Sequence, residues 1–284
     1  MAQRQRLGIF LVLLSSVAFG SMPIFARLAY AAGAGATTVL FARFGLGALC
    51  LIPFAAYRRA PMPHGRTLGR LMALGGVGYV VQSLTMFHAL RFASASTVQM
   101  VIYTYPAFVA ILFAVAFRER VSRRRALAIA VALAGTTLAV GRLGGGQALG
   151  VGLALCSSIV YAVYVIAGSR LAGRAGAVAA TTIIVTSAAV VLGGIVAIQG
   201  PQWPHTALGW TAMAALALVS TVIAALAFLA GTSRVGPVRA STLATVEPMV
   251  TLALAALVLG ERLAPLQMVG AGLILGAVVT IARK

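Results

Sequence analysis

Two stretches of this chain repeat one another at a distance of 142 residues, and this repeat restricts the folds that the chain can adopt. Residues 94–120 read SASTVQMVIYTYPAFVAILFAVAFRER, and residues 236–262 read GPVRASTLATVEPMVTLALAALVLGER. Both stretches are apolar, and each has a proline near its centre, Pro106 and Pro248. Self-similarity at a fixed period indicates that the chain is built from copies of one structural unit.

The repeat extends over the whole chain, because its 284 residues are twice the offset of 142. The same offset places Glu119 on Glu261 near the end of each repeated stretch. We therefore predict two units with similar structures, residues 1–142 and residues 143–284.

The chain is too apolar for a water-soluble domain of this length. Hydrophobic residues make up 61% and charged residues 9%, and the mean hydropathy is +1.04. A membrane-spanning helix needs about 20 apolar residues. The apolar runs are continuous rather than alternating, so we predict an all-α polytopic membrane protein with ten transmembrane helices. The predicted spans are 7–29, 36–56, 69–90, 94–117, 124–141, 148–169, 177–198, 208–231, 236–259 and 265–282.

The net charge of +19 is concentrated on one predicted side of the membrane. Most of the 22 Lys and Arg residues fall in loops on the same side as the N-terminus. The positive-inside rule therefore predicts that both termini lie in the cytoplasm. Topology and contact with anionic lipid head groups account for the charge, and we predict no nucleic-acid partner.

The sequence lacks the residues that several classes of catalytic and metal-binding site require. It contains no Asp and no Asn, and its single lysine is Lys284. His64, His88 and His205 are scattered without the spacing of metal ligands. We therefore predict no catalytic residue, no metal site and no cofactor. An intramembrane enzyme would need a nucleophile and base, and a sensor or scaffold would need longer loops.

Each unit has five predicted spans, an odd number, so the second unit is predicted to cross the membrane in the opposite orientation. Inverted repeats are typical of secondary transporters, in which two halves exchange conformations around a site near the midplane. A structural duplication without transport is the alternative.

The two repeated prolines are predicted to interrupt their helices. A proline removes one helical hydrogen bond and leaves the carbonyl four residues earlier without its donor, here Ile102 for Pro106 and Ala244 for Pro248. We interpret Pro106 and Pro248 as hinges, with a static kink as the alternative.

Polar and aromatic residues at membrane depth fall on one helical face in several predicted spans. They predict a cavity walled by spans 1, 3, 4, 6, 8 and 9, with spans 2, 5, 7 and 10 packed outside it. The candidate substrate-binding residues are Phe19, Tyr79, Gln82, Ser83, Met86, Gln99, Tyr103, Ser157, Tyr161, Tyr164, Thr245 and Glu247. Packing between helices is the alternative role for each of them.

Two charged residues at membrane depth have more than one interpretation. Glu247 could bind a substrate ammonium group, carry a coupling proton, or accept hydrogen bonds that hold the broken helix. Arg43 could attract an anionic substrate group, but we favour the interpretation that its side chain extends to the membrane surface. Glu119–Arg120 and Glu261–Arg262 are interpreted as ion pairs at helix ends.

The sequence resembles the drug/metabolite transporter superfamily, and within it the ten-span EamA branch. The resemblance rests on the Glu247-Pro248 pair, the Gly260-Glu261-Arg262 triplet that follows, and the glycine-rich run VGAGLI at residues 269–274. It extends over the full chain and includes residues 41–44, FARF. The first unit departs from the pattern, because Tyr105 stands where the second unit has Glu247.

The central aromatic residues are most similar to those of bacterial aromatic amino-acid exporters of the YddG type. The resemblance implies an inner-membrane exporter of small amphipathic metabolites, with aromatic and other apolar amino acids as the expected substrates. Because one chain contains both repeats, we expect a monomer. The sequence has no ATPase motif, so we expect alternating access driven by the substrate gradient, with proton exchange as the alternative coupling. Drugs, lipophilic cations or other metabolites of the same superfamily are the alternative substrates.

Overall fold

The structure is a computed structural model, and it describes residues 2–117, 123–140, 147–235, 240 and 243–282. All regular secondary structure in these ranges is helical, which confirms the all-α class. The α-helices are α1 (Ala2–Gly20), α2 (Met22–Ala31), α3 (Ala36–Tyr57), α4 (Gly65–Ala73), α5 (Val80–Phe92), α6 (Ala95–Ile102), α7 (Tyr105–Phe117), α8 (Arg123–Val140), α9 (Gln147–Ala175), α10 (Ala177–Gln199), α11 (Ala207–Ala217), α12 (Ala224–Val235), α13 (Glu247–Leu259) and α14 (Pro265–Ala282).

Among the described residues, seven helical segments are long and apolar enough to cross a membrane. They are Gln5–Ala31, Ala36–Tyr57, Gly65–Phe92, Ala95–Leu112, Gln147–Ala175, Ala177–Gln199 and Ala207–Val235. Shorter apolar helices occupy the three remaining predicted spans, at Ala126–Val140, Glu247–Leu259 and Pro265–Thr280. The chain is thus built to be embedded in a membrane, while the number of ten spans stays a prediction.

Helix boundaries in the two halves of the chain agree under the offset of 142 residues. α7 and α13 begin and end at corresponding residues, and so do α8 and α14. The most extensive helix pairings are α8 with α14, α1 with α12, α3 with α10 and α5 with α9. Each pair joins a helix of the first half to a helix of the second, so the halves are closely interlocked.

Several of the helices that face the centre of the molecule are interrupted rather than straight. The first predicted span breaks at Ser21, between α1 and α2. The fourth breaks at residues 103–104, and a turn at residues 245–246 precedes α13. Pro106 and Pro248 therefore lie in the first turn of α7 and α13, where a missing N–H costs nothing. The predicted interruption of each helix at its proline is present, because the chain starts a new helix there, while the hinge role stays a prediction.

Two further interruptions are π-helical segments, Leu74–Tyr79 between α4 and α5 and Leu218–Ile223 between α11 and α12. They occupy similar places in the two halves. A π-helical turn carries an extra residue, so it rotates the side chains that follow relative to those that precede. Both segments lie in helices that wall the central cavity described below.

Small residues allow α8 and α14 to approach closely. A Cβ atom added at Gly270 would lie 2.5 Å from the carbonyl oxygen of Gly135 and 2.5 Å from the nitrogen of Ala139. Real side chains do not approach backbone atoms so closely. The backbones of α8 and α14 are therefore in contact at a point where the sequence has glycine on both helices.

We predict that Gly270→Ala destabilises the protein by about 1–3 kcal/mol, because the added methyl group forces α8 and α14 apart. Gly272→Ala is the matched control, since a Cβ atom at Gly272 would meet nothing within 4 Å. The measurement is the thermal unfolding midpoint of each purified variant in detergent. Equal midpoints for Gly270→Ala and the wild type would contradict the close packing.

Candidate functional site

A central cavity of about 270 Å³ lies between helices of both halves. It is lined by Ser15, Ser16, Phe19, Met22, Arg43, Tyr79, Gln82, Met86, Gln99, Ile102, Tyr103, Tyr105, Tyr161, Phe228, Ala244 and Glu247. These residues come from the six predicted spans that were expected to wall a cavity, with Arg43 of α3 added. The volume suits a small metabolite rather than a large one.

The cavity brings together most of the candidate substrate-binding residues. Those that line it are Phe19, Tyr79, Gln82, Met86, Gln99, Tyr103, Tyr161 and Glu247. The remaining four candidates are not among the lining residues: Ser83, Ser157, Tyr164 and Thr245. The binding role of all twelve stays a prediction, because position in a cavity is a condition for binding and not a measurement of it.

Two of the four non-lining candidates hold a lining residue in place. Gln82 donates a hydrogen bond from Nε2 to Ser157 Oγ (3.2 Å), and the Ser157 hydroxyl donates to the Gln82 carbonyl oxygen (2.9 Å). Ser83 Oγ donates to Gln82 Oε1 at 3.3 Å. Gln82 is therefore fixed in one orientation by partners from its own helix and from α9. Thr245 lies in the turn before α13.

Five tyrosine rings form a continuous series along the cavity, in the order Tyr79, Tyr164, Tyr161, Tyr105 and Tyr103. Tyr79 stacks on Tyr164 with 5.0 Å between ring centroids, and Tyr164 stacks on Tyr161 at 5.8 Å. Tyr161 meets Tyr105 edge to face at 4.7 Å, and Tyr105 meets Tyr103 at 6.1 Å. Tyr164 is thus the ring that connects Tyr79 to Tyr161. The series gives the cavity an aromatic wall with hydroxyl groups along it.

Arg43 lies at the Tyr79 end of this series. Its guanidinium donates from Nε to Thr221 Oγ1 (2.9 Å) and from Nη2 to the Tyr79 hydroxyl (3.3 Å). The same group lies 4.8 Å from the centroid of the Phe44 ring and 5.7 Å from that of Phe87. Arg43 is 2% exposed, so the interpretation that its side chain extends to the membrane surface is wrong. The hydroxyls and ring faces stabilise the cation in the interior instead.

Glu247 lies at the opposite end of the tyrosine series, where α13 begins. Tyr103 donates its hydroxyl proton to the Ala244 carbonyl oxygen (3.2 Å), three residues before Glu247. Gln99 donates from Nε2 to Glu247 Oε1 at 3.1 Å. Gln99 Oε1 is buried and has no hydrogen-bond partner among the described residues, and Gln99 lines the cavity. This end of the cavity therefore presents a carboxylate and an amide acceptor that lacks a donor.

Side chains satisfy both carbonyl groups that the two prolines leave without their helical donors. The Ser158 hydroxyl donates to the Ile102 carbonyl at 3.1 Å, in addition to its contact with Thr104 Oγ1. Tyr103 serves the Ala244 carbonyl, as described above. Because no water is available inside a bilayer, an unsatisfied carbonyl would be costly there. The helix breaks are thus stable features of the cavity wall.

Glu261 has a different role from the predicted ion pair with Arg262. Its carboxylate accepts hydrogen bonds from Ala95 N (2.7 Å), Ser96 N (3.1 Å) and Ser96 Oγ (2.5 Å). It therefore caps the N-terminus of α6, where free N–H groups and the helix dipole favour a negative charge. This contact ties the second half of the chain to the first. Glu119 and Arg120, the predicted counterpart pair, lie outside the described residues.

The cavity also contains residues that were not among the candidates, and the repeat could have identified some of them. Tyr105 corresponds to Glu247 under the offset of 142, and both line the cavity. Phe228 corresponds in the same way to Met86. Applying the offset to each candidate would therefore have added both residues. No such signal marks Arg43, because its counterpart is Val185.

Comparisons with known proteins agree with this architecture. The sequence profile of the EamA-like transporter family matches the chain twice, at residues 6–141 and 148–283. The uncharacterized transporter YcbK of Bacillus subtilis (strain 168) is 30% identical over 279 residues, which cover 93% of this chain and 89% of YcbK. A solved crystal structure with 18% sequence identity superposes with a TM-score of 0.66, over 99% of this chain and 96% of its own, and shows the same fold.

The paired family matches, the membrane-embedded helices and the full-length similarity to YcbK agree with one another. The chain belongs to the EamA-like transporter family.

Proposed function

We propose that this chain is a secondary transporter that exports small amphipathic metabolites, with aromatic and other apolar amino acids as its substrates. The observation that carries the proposal is the arrangement of the central cavity. Arg43 and Glu247 lie at the two ends of a series of tyrosine rings, in a volume of about 270 Å³. A zwitterion with an apolar side chain has the complementary distribution of charge and apolar surface.

Each part of such a substrate has a partner of suitable chemistry in the cavity. Arg43 has neutral hydroxyls as its hydrogen-bond partners, so its positive charge can attract a carboxylate. Glu247 and Gln99 Oε1, which has no partner in the described part of the chain, would accept hydrogen bonds from the ammonium group. The tyrosine rings would enclose the side chain. Gln82 and Ser157 are hydrogen-bonded to each other, so they would hold the cavity wall in position rather than contact the charged groups of the substrate.

Transport would proceed by alternating access of two inverted units, residues 1–142 and residues 143–284. The helix breaks near Pro106 and Pro248 adjoin the cavity, and the backbone can rotate there with little disturbance of helical hydrogen bonds. We propose a multi-pass bacterial inner-membrane protein with both termini in the cytoplasm, in agreement with the distribution of basic residues. One chain contains both units, so a monomer would suffice. The driving force would be the substrate gradient, with proton exchange through Glu247 as an alternative.

Export of lipophilic cations is a second candidate function, favoured by Glu247 beside an aromatic wall. Aromatic faces and a carboxylate together are a common environment for organic cations. The buried cation Arg43 at the other end of the cavity acts against such a substrate. The following experiment separates the two functions.

We predict that the two charged residues determine which head groups the cavity accepts. In proteoliposomes, uptake of labelled phenylalanine should be inhibited strongly by unlabelled phenylalanine and weakly by 2-phenylethylamine or 3-phenylpropionate, which each lack one charge. Arg43→Gln should raise the KM for phenylalanine by about 10- to 100-fold, the usual effect of losing a hydrogen bond to a charged group. In this variant 2-phenylethylamine should inhibit as well as phenylalanine does. In the Glu247→Gln variant, 3-phenylpropionate should instead inhibit as well as phenylalanine does.

Arg58→Gln is the matched control, because Arg58 is an exposed cation at the end of α3 and lies outside the cavity. Its inhibition pattern should equal that of the wild type. The comparison uses the ranking of inhibitors within each variant, so a lower amount of folded protein does not affect it. An unchanged ranking in Arg43→Gln and Glu247→Gln would contradict the proposed site. Saturable movement of tetraphenylphosphonium without phenylalanine transport would support the second candidate function.

We predict that the helix breaks control the rate of transport rather than the affinity for substrate. Pro106→Ala and Pro248→Ala restore an N–H group, so the chain can form a continuous helix through residues 103–106 or 245–248. A continuous helix should slow the exchange of conformations and lower the maximal uptake rate by about tenfold or more, with little change in KM. Pro53→Ala is the control, because Pro53 lies exposed within the continuous helix α3. Equal rates in the wild type and both repeated-proline variants would argue against a hinge at these positions.

A further inference from the structure

A second cavity, of about 430 Å³, lies between α4 and α9, and the residues that line it are distinct from those of the central cavity. Three arginines line it: Arg70 of α4, and Arg170 and Arg174 of α9. Leu74 and Leu171 contribute apolar surface beside them. All three arginines are exposed, so a ligand can reach them from outside the protein.

No carboxylate in the described part of the chain lies among the residues that line this cavity. The sequence has three acidic residues in total. Glu247 contacts Gln99 in the central cavity, and Glu261 caps α6. Glu119 lies outside the described residues. The charged side chains that the described part of the chain contributes to the cavity lining are all cationic, so an anion is the ligand that this lining favours.

The surface beyond the arginines is apolar. Leu74 lies one α-helical turn after Arg70, and both line the cavity. On α9, Arg170 and Val163 share a face at a spacing of seven residues. Val163 is 50% exposed. Along α9, the cationic end thus leads to an exposed apolar residue that lies deeper in the predicted membrane.

We propose that this cavity binds an anionic phospholipid, with its phosphate at Arg70, Arg170 and Arg174 and an acyl chain along Leu74 and Val163. The guanidinium group presents parallel N–H donors that match the oxygens of a phosphate. A soluble phosphate would use the arginines alone and leave the apolar continuation uncovered. A lipid matches both parts, and the bilayer supplies it at high concentration. The proposal does not depend on the substrate of the central cavity.

The test is native mass spectrometry of protein extracted from bilayers that contain phosphatidylglycerol and phosphatidylcholine in equal amounts. The wild type should retain phosphatidylglycerol selectively. The triple variant Arg70→Gln/Arg170→Gln/Arg174→Gln should lose about 100-fold of this selective retention, because each basic side chain near a membrane surface strengthens the binding of anionic lipid several-fold. Both proteins should have the same thermal unfolding midpoint in lipid-free detergent if the substitutions affect binding and leave the fold intact.

The control Arg6→Gln/Arg58→Gln/Arg59→Gln removes the same charge from exposed positions outside the cavity. It should retain phosphatidylglycerol as the wild type does. Equal losses in the two triple variants would overturn the proposal, because the attraction would then be due to the total positive charge. Equal retention of phosphatidylcholine would also overturn it. Displacement of phosphatidylglycerol by millimolar inorganic phosphate would identify a soluble anion as the ligand instead.

Discussion

The buried guanidinium of Arg43 imposes a constraint on both halves of the molecule. A cation at this depth is costly unless polar groups and ring faces surround it. Its two hydroxyl partners, Thr221 and Tyr79, both lie in π-helical segments, and they correspond to one another under the offset of 142 residues. The Arg43 side chain therefore joins equivalent points of two helices. The extra residue of each π-helical turn helps to orient the hydroxyl group of Tyr79 or Thr221 toward it. Arg43 and Tyr79 both line the central cavity, so this network forms part of its wall.

The interrupted helices at the two prolines also place polar groups at membrane depth, in this case backbone carbonyls. A helix break within a membrane exposes carbonyl groups that lipid cannot satisfy. Ser158 and Tyr103 donate to these carbonyls from neighbouring elements, so each break is stable only when the surrounding helices are in place. Tyr103 also belongs to the aromatic wall of the cavity. The stability of the backbone and the shape of the cavity therefore depend on some of the same side chains, which couples any movement at the breaks to the cavity contents.

The sequence predicted the all-helical class, the membrane-embedded character and most of the cavity wall, because hydropathy and helical periodicity depend on residue type alone. It failed at Arg43 and Glu261, where the outcome depends on partners that are distant in the chain. Thr221 lies 178 residues from Arg43, and Ser96 lies 165 residues from Glu261. It also predicted an interruption at each repeated proline, and the structure has one there, with new helices that begin beside Pro106 and Pro248. The repeat could also have identified Tyr105 and Phe228 as lining residues, because each corresponds to a candidate residue under the offset of 142.

The duplication supplies a symmetric frame, and the chemistry of the cavity comes from the positions where the two copies differ. Tyr105 and Glu247 occupy equivalent positions at the start of α7 and α13, yet one extends the aromatic wall and the other presents a carboxylate. Arg43 has Val185 as its counterpart, so the cation is present in one copy only. Two identical copies would place equal charges on both sides of the cavity and could not distinguish the two ends of a substrate. These differences between the copies place a cation at one end of the cavity and a carboxylate at the other. A dipolar substrate would therefore bind in one orientation and keep it while the surrounding helices move.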